Sequence, residues 1–311
     1  MMRIPQVKKE KKRISFFRLE FNLGKLRRRF EHFVFLIPAL LVVGAVLVYP
    51  LLHTFYLSFF DYSISKGMRY AGLQNYADIL VDKTFYVALQ NTVIYTIIVV
   101  TTEMIYGFIL ANVLNRDFRG KNFIRALFMI PLLTSPIVSG LTWRLLFNPD
   151  LGFVNYFINL LGFKSQVWTG NPHLALPSIM VVDFWSGTPF VMLLLLAGLQ
   201  SISKKLYEAA TIDGANRFHL LRYITIPLLK PMILVVLLLR TMDSLKIFDI
   251  VYALTGGGPG ISSMTVGIYA YLKGFRLFYL GYAAAISWVL AVIIILVCIL
   301  YIRFINVPEQ D

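Results

Sequence analysis

The stretch Glu208–Pro231 reads EAATIDGANRFHLLRYITIPLLKP and lies between two strongly apolar segments of the chain. Ser203, just before it, is a candidate N-cap for a short helix that continues through Thr211. Asp213 and Gly214 interrupt this helix, because glycine adopts backbone angles that other residues avoid. The stretch is therefore predicted to begin with one short helix followed by a turn.

A second helix is predicted over Asn216–Ile226, and Pro227 is expected to stop it because proline cannot donate a backbone hydrogen bond. Two short helices joined at an angle form a knob that fits a groove on another protein. We therefore interpret residues 201–227 as a docking loop.

The spacing within this docking loop resembles the "EAA" loop of permease subunits from binding-protein-dependent ABC importers. That pattern is Glu-Ala-Ala, three residues, Gly, nine residues, Ile, one residue and Leu-Pro. The matching residues here are Glu208, Ala209, Ala210, Gly214, Ile224 and Pro227, with Ile226 in place of the usual leucine. The resemblance to the sugar-transporting branch continues through GLQNY at 72–76, LFNPD at 146–150, LTGGGP at 254–259 and GYAAA at 281–285.

The resemblance implies an ABC importer type I permease fold in the bacterial cytoplasmic (inner) membrane. The implied partners are a second homologous permease subunit, two ATPase subunits, an extracytoplasmic solute-binding protein and a sugar substrate. ATP and Mg would be bound by the ATPase subunits, so this chain is expected to carry no cofactor and to catalyse no reaction. Closure of the ATPases would move the docking loop and rock the helix bundle. The residues implied to contact the ATPase are Glu208, Ala209, Ala210, Asp213, Gly214 and Ala215.

Composition independently indicates a protein embedded in the lipid bilayer. Apolar residues make up 58% of the 311 residues, and several apolar runs reach the length of about 20 residues that a membrane-spanning helix needs. The net charge of +14 is concentrated, because 11 of the 30 Lys and Arg residues precede Phe30, next to the first apolar run. Basic residues beside a membrane segment indicate its cytoplasmic side, which argues against a nucleic-acid partner.

These runs predict an all-α polytopic membrane protein with six transmembrane helices and both termini in the cytoplasm. Residues 1–30 are predicted to form a basic cytoplasmic arm, residues 31–305 the transmembrane permease domain, and residues 306–311 a cytoplasmic tail. A short helix is expected around Asn75–Leu80, and an interfacial helix over Gly152–Leu161. The predicted spans are Phe33–Phe60, Val87–Leu114, Phe123–Phe147, Ala175–Leu199, Leu228–Phe248 and Gly281–Phe304.

The sequence offers no recognisable set of catalytic or metal-binding residues. Cys298 is the single cysteine and lies inside the last apolar run, and the four histidines have no metal-ligand spacing. Nucleotide-binding and hydrolase motifs are also absent from the sequence. A membrane enzyme is therefore one alternative without positive support. An ion-coupled carrier or channel is another, although it gives no reason for the docking-loop pattern.

Polar residues and helix breakers near the middle of three spans indicate a substrate pathway. Breaks are expected in the third span at Thr134-Ser135-Pro136 and in the fourth span around Ser186–Pro189, because interrupted helices are tolerated only near protein or water. The predicted pathway residues are Ser139, Asp183, Ser186, Gly187, Phe190, Arg240, Asp243 and Ser244. Trp185 and Tyr252 are further candidates, since sugars stack on aromatic rings, although membrane aromatics also serve packing and anchoring.

The charged residues of the fifth span leave the nature of the cargo open. Arg240 and Asp243 are three residues apart and close enough to neutralise each other, which suits a neutral oligosaccharide or polyol. A free Arg240 would instead make a bidentate contact with an acidic (uronate) oligosaccharide. Because three-residue steps drift by about 60° around a helix, Asp249 is not expected to face the same lumen as Arg240. Glu103 stands alone on its span, and a structural ion pair is the favoured interpretation.

Overall fold

The computed structural model describes residues 36–65 and 67–304, which divide into a unit ending at Tyr56 and a unit beginning at Leu57. In the first unit the described residues belong to helix α1, Leu36–Leu57, which contains a π-helical turn. This helix lies within the predicted first span. The predicted arm at 1–30 and tail at 306–311 lie outside the described residues.

The second unit begins with a small hairpin that the sequence did not predict. Strands β1 (Phe60–Ser63) and β2 (Gly67–Tyr70) pair in antiparallel fashion and precede helix α2 (Gln74–Val81), which agrees with the short helix expected there. The Asn75 side chain donates to the carbonyl oxygen of Phe60 at 2.9 Å and so joins α2 to the hairpin. Strands of four residues are too short to show an alternating pattern, which explains why they escaped prediction.

Two long parallel helices form the centre of the second unit. Helix α3 (Lys83–Leu114) begins at Asp82, whose carboxylate accepts a hydrogen bond from the backbone N–H of Thr84 at 2.9 Å. The chain then forms the shorter helices α4 (Lys121–Met129), α5 (Pro136–Leu146) and α6 (Phe153–Leu160), and then the second long helix, α7 (Pro172–Ser201). At Gly107 of α3, an added methyl group would lie 2.6 Å from Val191 of α7, so a small residue permits this close packing.

The third predicted span is broken where the sequence indicated. Helix α4 is followed by a 3₁₀ turn over Pro131–Leu133, and α5 then continues at an angle of 97°. Ser135 precedes a proline and has an extended backbone, as the proline ring requires. Among the described residues, five helices are long and apolar enough to cross a membrane, and this bent pair makes a sixth.

The predicted break in the fourth span is wrong. Helix α7 continues through Pro177 and Pro189 without interruption. A proline inside a helix removes one backbone donor, and nearby hydroxyl groups can satisfy the carbonyl oxygens that are freed. The Thr188 hydroxyl donates to the carbonyl of Phe184, one residue before the carbonyl that Pro189 leaves without its usual donor. Helix α7 therefore accommodates Pro189 without the break expected around Ser186–Pro189.

Pro227 also fails to stop the helix that it was expected to end. After helix α8 (Lys204–Ile212), the chain is helical from α9 (Arg217–Leu220) through a π turn over Leu221–Thr225 into α10 (Ile226–Leu245). Pro227 occupies the first turn of α10, where the π turn has already changed the hydrogen-bond pattern and a missing N–H is tolerated. The docking loop therefore joins directly to a long helix.

The remaining elements close the bundle. They are α11 (Asp249–Leu254), α12 (Val266–Tyr271), a π turn over Leu272–Arg276 and α13 (Leu280–Phe304), the last of which agrees with the predicted sixth span. Helix α10 runs antiparallel to α3 and α7. Its Leu229 packs among Leu195 and Leu199 near the end of α7, whereas Arg240 lies beside Asp183 farther back along α7.

Candidate functional site

A cavity of about 450 Å³ lies between α7, α10 and the break that separates α4 from α5. We call it the central cavity. It is lined by aromatic, charged and small residues together. Its lining residues are Pro131, Leu132, Thr134, Pro136, Asp183, Ser186, Gly187, Phe190, Arg240, Asp243, Lys246, Ile247, Phe248, Asp249 and Ile250.

Six of the eight predicted pathway residues line this cavity, and two do not. Ser139 is buried against the break in the third span, where its hydroxyl lies 2.8 Å from the Thr134 hydroxyl. Ser244 is also buried, and its hydroxyl oxygen has no hydrogen-bond partner among the described residues. Both serines lie on the expected helices but do not line the cavity.

The wall of the cavity contains a buried ion cluster of Tyr95, Glu103, Asp183 and Arg240. Arg240 donates from Nε to Glu103 Oε2 and from Nη2 to Glu103 Oε1, each at 2.6 Å, which is a bidentate contact. Its Nη2 also lies 3.2 Å from Asp183 Oδ2, and the Tyr95 hydroxyl donates to the same oxygen. The cluster therefore connects α3, α7 and α10, and Tyr95 and Glu103 are fully buried in it.

The ion pair considered for Arg240 and Asp243 does not form. Asp243 instead pairs with Lys246 at 3.0 Å, and both of these side chains are more than one-third exposed. Arg240 instead points between α3 and α7, where its partners are the carboxylates of Glu103 and Asp183. The expectation that Glu103 forms a structural ion pair is confirmed.

Gly187 allows the backbone of α7 to approach this ion cluster. A methyl group added at Gly187 would lie 2.1 Å from Glu103 Oε1 and 2.6 Å from Arg240 Nη2. These separations are far below van der Waals contact, so the position accepts no side chain without a shift of the ion pair. The sequence predicted Gly187 as a helix breaker, whereas the structure gives it a packing role.

The expectation that Asp249 cannot share a lumen with Arg240 is wrong. It assumed a continuous helix, but α10 ends at Leu245 and α11 begins at Asp249. Phe248, between them, has a non-helical backbone that changes the helical register of the residues after it. Lys246, Phe248 and Asp249 therefore reach the cavity although the periodicity of the fifth span gave no sign of it.

Of the three aromatic candidates, one lines the central cavity. Phe190 is part of its wall. Trp185 packs edge-on against Trp143, with ring centroids 5.8 Å apart. Tyr252 stacks on Phe248 at 5.4 Å and so supports an aromatic ring that does line the cavity.

The docking loop has a well-defined turn between its two helices. Gly214 has a positive φ of 87°, and its N–H donates to the carbonyl of Thr211 at 3.1 Å. The N–H of Ala215 donates to the carbonyl of Ala210 at 2.9 Å, which completes a Schellman motif at the end of α8. Asn216 then accepts a hydrogen bond from the N–H of His219 and caps α9. The predicted break at Asp213 and Gly214 is confirmed.

The surface of the docking loop is largely exposed and partly apolar. Ile212 is 86% exposed and Phe218 is 67% exposed. Glu208 and Asp213 are exposed as well, and neither forms a hydrogen bond or ion pair through its side chain within the described part of the chain. The Tyr207 and Thr225 hydroxyls lie 3.1 Å apart and connect the two arms of the loop.

At the opposite end of the helix bundle, Asp82 joins the beginnings of three helices. Its Oδ2 accepts hydrogen bonds from the hydroxyls of Tyr269 and Tyr282, the second at 2.7 Å. Partial burial raises the pKa of Asp82, but the bonds from these tyrosines and from the backbone N–H groups of Phe85 and Thr84 outweigh it and hold the pKa below its ordinary value. The carboxylate is therefore stabilised in its charged form.

Comparison with known proteins identifies the family. Residues 103–310 match the family model described as the binding-protein-dependent transport system inner membrane component. The chain is 38% identical over 272 residues to the trehalose/maltose transport system permease protein MalF of Thermococcus litoralis, covering 87% of this chain and 92% of the relative. It is 35% identical over 276 residues to the sulfoquinovosyl glycerol transport system permease protein SmoG of Agrobacterium fabrum, covering 88% and 90%.

The fold is similar to that of a solved membrane transporter. A chain of a bacterial ABC transporter involved in the import of the acidic polysaccharide alginate matches with a TM-score of 0.81 and 19% identity, covering 93% of this chain and 99% of that chain. At this identity the likeness concerns the fold alone. The family match covers most of the chain and includes the docking loop, the ion cluster residues Glu103, Asp183 and Arg240, and the last span. The chain therefore belongs to the family of inner membrane components of binding-protein-dependent transport systems.

Proposed function

We propose that this chain is one permease subunit of an ATP-driven importer that carries a sugar or oligosaccharide across the inner membrane. A second homologous permease, two ATPase subunits and an extracytoplasmic solute-binding protein would complete the transporter. ATP and Mg would be bound by the ATPase subunits. The relatives named for trehalose/maltose and sulfoquinovosyl glycerol transport support a carbohydrate cargo.

The observation that carries this proposal is the continuity between the docking loop and the cavity wall. The exposed turn of the loop leads into a chain that is helical from Arg217 to Leu245, and this helix carries Arg240 and Asp243 to the central cavity. A protein bound at the loop is thus connected to the pathway by one helix. The loop residues proposed to contact the ATPase are Glu208, Ala209, Ala210, Asp213, Gly214 and Ala215.

The central cavity is proposed as this subunit's part of the pathway. Phe190 and Phe248 offer apolar surface for the C–H faces of a sugar, and Ser186 and Asp243 offer groups that bind hydroxyls. Asp183 and Arg240, which belong to the ion cluster, form the wall beside these groups. Gly187 allows the backbone of α7 to lie against Glu103 and Arg240.

The cargo that this geometry favours is a neutral, hydroxyl-rich saccharide. Both donors that Arg240 presents in its bidentate contact are occupied by Glu103, and Asp183 adds a second carboxylate. An acidic saccharide would have to compete with these two carboxylates for the guanidinium group. The relative named for sulfoquinovosyl glycerol keeps an acidic cargo as the second candidate, because a sulfoquinovosyl group carries a sulfonate.

An ion-coupled carrier or channel is the alternative mechanism. Buried charges in such proteins bind or pass ions, whereas in the ion cluster each charged side chain has a protein partner of opposite charge. We find no group of three or more candidate metal ligands among the described residues. The exposed docking loop favours the ATP-driven mechanism over this alternative.

The proposal is tested by replacing an exposed apolar residue of the docking loop with a charged one. Ile212→Asp leaves the helix bundle unchanged because the side chain is 86% exposed, and it should abolish copurification of ATPase subunits with the tagged chain. Val81→Asp is the matched control, since Val81 is 77% exposed at the opposite end of the bundle and should leave copurification intact. Normal copurification with Ile212→Asp would refute the proposed docking surface.

A further inference from the structure

We propose that Glu103 is a positioning residue that couples movement of the docking loop to the wall of the central cavity. It would do so by fixing Arg240, on the helix that begins in the docking loop, to α3 and, through Asp183, to α7. This inference rests on the proposed function, because it assumes that the docking loop moves when ATPase subunits bind ATP. It changes the role of Arg240 from a ligand of the cargo to an anchor between helices.

One helical segment spans the distance from the docking loop to the ion cluster. The chain is helical without interruption from Arg217 through the π turn to Leu245. At 1.5 Å per residue, Arg217 and Arg240 are about 35 Å apart along this helix. A single continuous helical segment therefore connects the docking loop to Arg240.

The contacts of α10 with α7 nearer the docking loop are apolar and differ in kind from the ion pair. Leu229 and Val236 pack within an apolar cluster that contains Leu195 and Met192 of α7. The hydrophobic attraction between apolar side chains has no directional preference. A bidentate ion pair fixes both the distance and the direction between its partners, which makes Arg240 and Glu103 the contact that transmits displacement.

The ion cluster is confined on the side of α7. Glu103 is fully buried, and Arg240 is 8% exposed. The backbone of α7 at Gly187 lies against both side chains, closer than any side chain would allow. A displacement of the ion pair toward α7 is therefore transmitted to the α7 backbone.

Removal of Glu103 distinguishes a role in transmitting movement from a role of Arg240 in binding the cargo. If Glu103 transmits movement, its removal should separate ATP binding from the opening and closing of the cavity while the subunits remain assembled. If Arg240 instead serves the cargo directly, removal of Glu103 should leave the nucleotide-driven movement unchanged. A reporter in the cavity wall distinguishes these outcomes without requiring the cargo.

The experiment uses the complete complex in proteoliposomes, purified through a tag on this chain, with the substitutions Cys298→Ala and Ser186→Cys. Ser186 lines the cavity, so the labelling rate of its cysteine by a membrane-impermeant maleimide reports cavity access. We expect ATP with vanadate to change this rate at least about fivefold, as usual for coupled sites. Adding Glu103→Gln, which keeps the shape of the side chain, should remove most of that change with the same amount of ATPase bound.

Asp78→Asn is the matched control for an acid-to-amide substitution. The Asp78 carboxylate is exposed and accepts a hydrogen bond from Gln74 on the same helix, so no contact between helices is lost. The nucleotide-dependent change in labelling should persist in this variant. The inference predicts a clear difference between the two acid-to-amide substitutions.

A second variant is needed if the Glu103→Gln complex fails to assemble, because Arg240 then faces a neutral amide in place of the Glu103 carboxylate. The triple substitution Glu103→Gln, Asp183→Asn and Arg240→Gln removes all three charges of the ion cluster and retains hydrogen-bonding groups. It should assemble and still lack the change in labelling. A full nucleotide-dependent change in either variant would overturn the inference. Absence of any copurified ATPase in the unsubstituted chain would instead overturn the proposed function, and the inference with it.

Discussion

A methyl group at Gly187 would lie 2.1 Å from Glu103 Oε1, so no residue larger than glycine fits this position without a shift of the ion pair. Ser186 beside it donates through its hydroxyl to the carbonyl of Asp183, so α7 remains regular here although two small residues adjoin. The glycine is thus required by the neighbouring helix rather than by its own backbone angles. Sequence alone did not distinguish these two reasons.

Gly187→Ala should destabilise the chain because the added carbon overlaps the ion pair. Overpacking of a closely packed interior costs about 1–3 kcal/mol, and displaced charges would add to this. The measurement is the thermal unfolding temperature of the purified chain in detergent. Gly44→Ala is the matched control, since nothing lies within 4 Å of the position of its added carbon. Equal unfolding temperatures for the two variants would contradict the packing role.

Gly214 in the docking loop should show the opposite behaviour, because its constraint is conformational. Its φ is 87°, while no atom lies within 4 Å of an added carbon. Asparagine adopts positive φ more readily than alanine or valine. Copurification of ATPase should therefore decrease in the order Gly, Asn, Ala, Val. A valine variant that binds as well as the asparagine variant would show that the backbone angle does not matter.

At the scale of elements, the sequence predicted most of the helices but not all of their ends. The apolar runs located the spans, and the Thr134-Ser135-Pro136 break was predicted because a proline follows two polar residues. Pro189 and Pro227 have similar local sequence signals, yet both lie within continuous helices. Pro227 follows a π turn, and Pro189 lies inside a long helix that continues through it, and neither feature is visible in the local sequence.

The position at which α10 ends, Leu245, caused the largest difference between the predicted and the observed cavity residues. Helical periodicity placed Asp249 on the wrong side, because nothing in the sequence from Leu245 to Asp249 is a glycine or proline. Helix α10 ends at Leu245, and the ring of Phe248 beyond it packs on Tyr252 and Tyr271. The periodicity of one continuous helix therefore did not predict Lys246, Phe248 and Asp249 as cavity residues.

Asp82 joins helix ends and gives a prediction about pH. Its pKa lies below the ordinary 3.8, so its contribution to stability is complete well above pH 3.8 and is lost as the pH falls through the lower pKa of the folded chain. Asp82→Asn should reduce the unfolding temperature at neutral pH. The difference from the unsubstituted chain should shrink as the pH falls below 3.8. A difference independent of pH would contradict stabilisation of the charged carboxylate.

At the scale of the whole molecule, the basic residues predict which loops lie in the cytoplasm. In the Cys298→Ala background, cysteines at Ser65 and Leu161 should react from outside with a membrane-impermeant thiol reagent. Cysteines at Asn115 and Lys205 should react only after permeabilisation. All four positions are exposed, so access to the thiol is decided by the side of the membrane. Reaction of Asn115→Cys from outside would contradict the six-span topology.

The two ends of the helix bundle differ in structure, and the difference agrees with a docking loop on the cytoplasmic side. Asp82 with Tyr269 and Tyr282 stabilises one end internally, whereas the other end exposes the docking loop. The sequence predicted the docking loop because its pattern is local. It did not predict the ion cluster as a unit, because Glu103, Asp183 and Arg240 come from helices that are far apart in the chain.

The most direct test of the account measures what drives transport. The complete complex with its binding protein would be reconstituted in proteoliposomes, and uptake of radiolabelled trehalose and maltose, the sugars named for a relative, would be measured. We predict uptake of at least one of them with ATP on the docking-loop side and no ion gradient, and its loss in the Ile212→Asp variant. Uptake driven by a sodium or proton gradient in the absence of ATP would contradict the account.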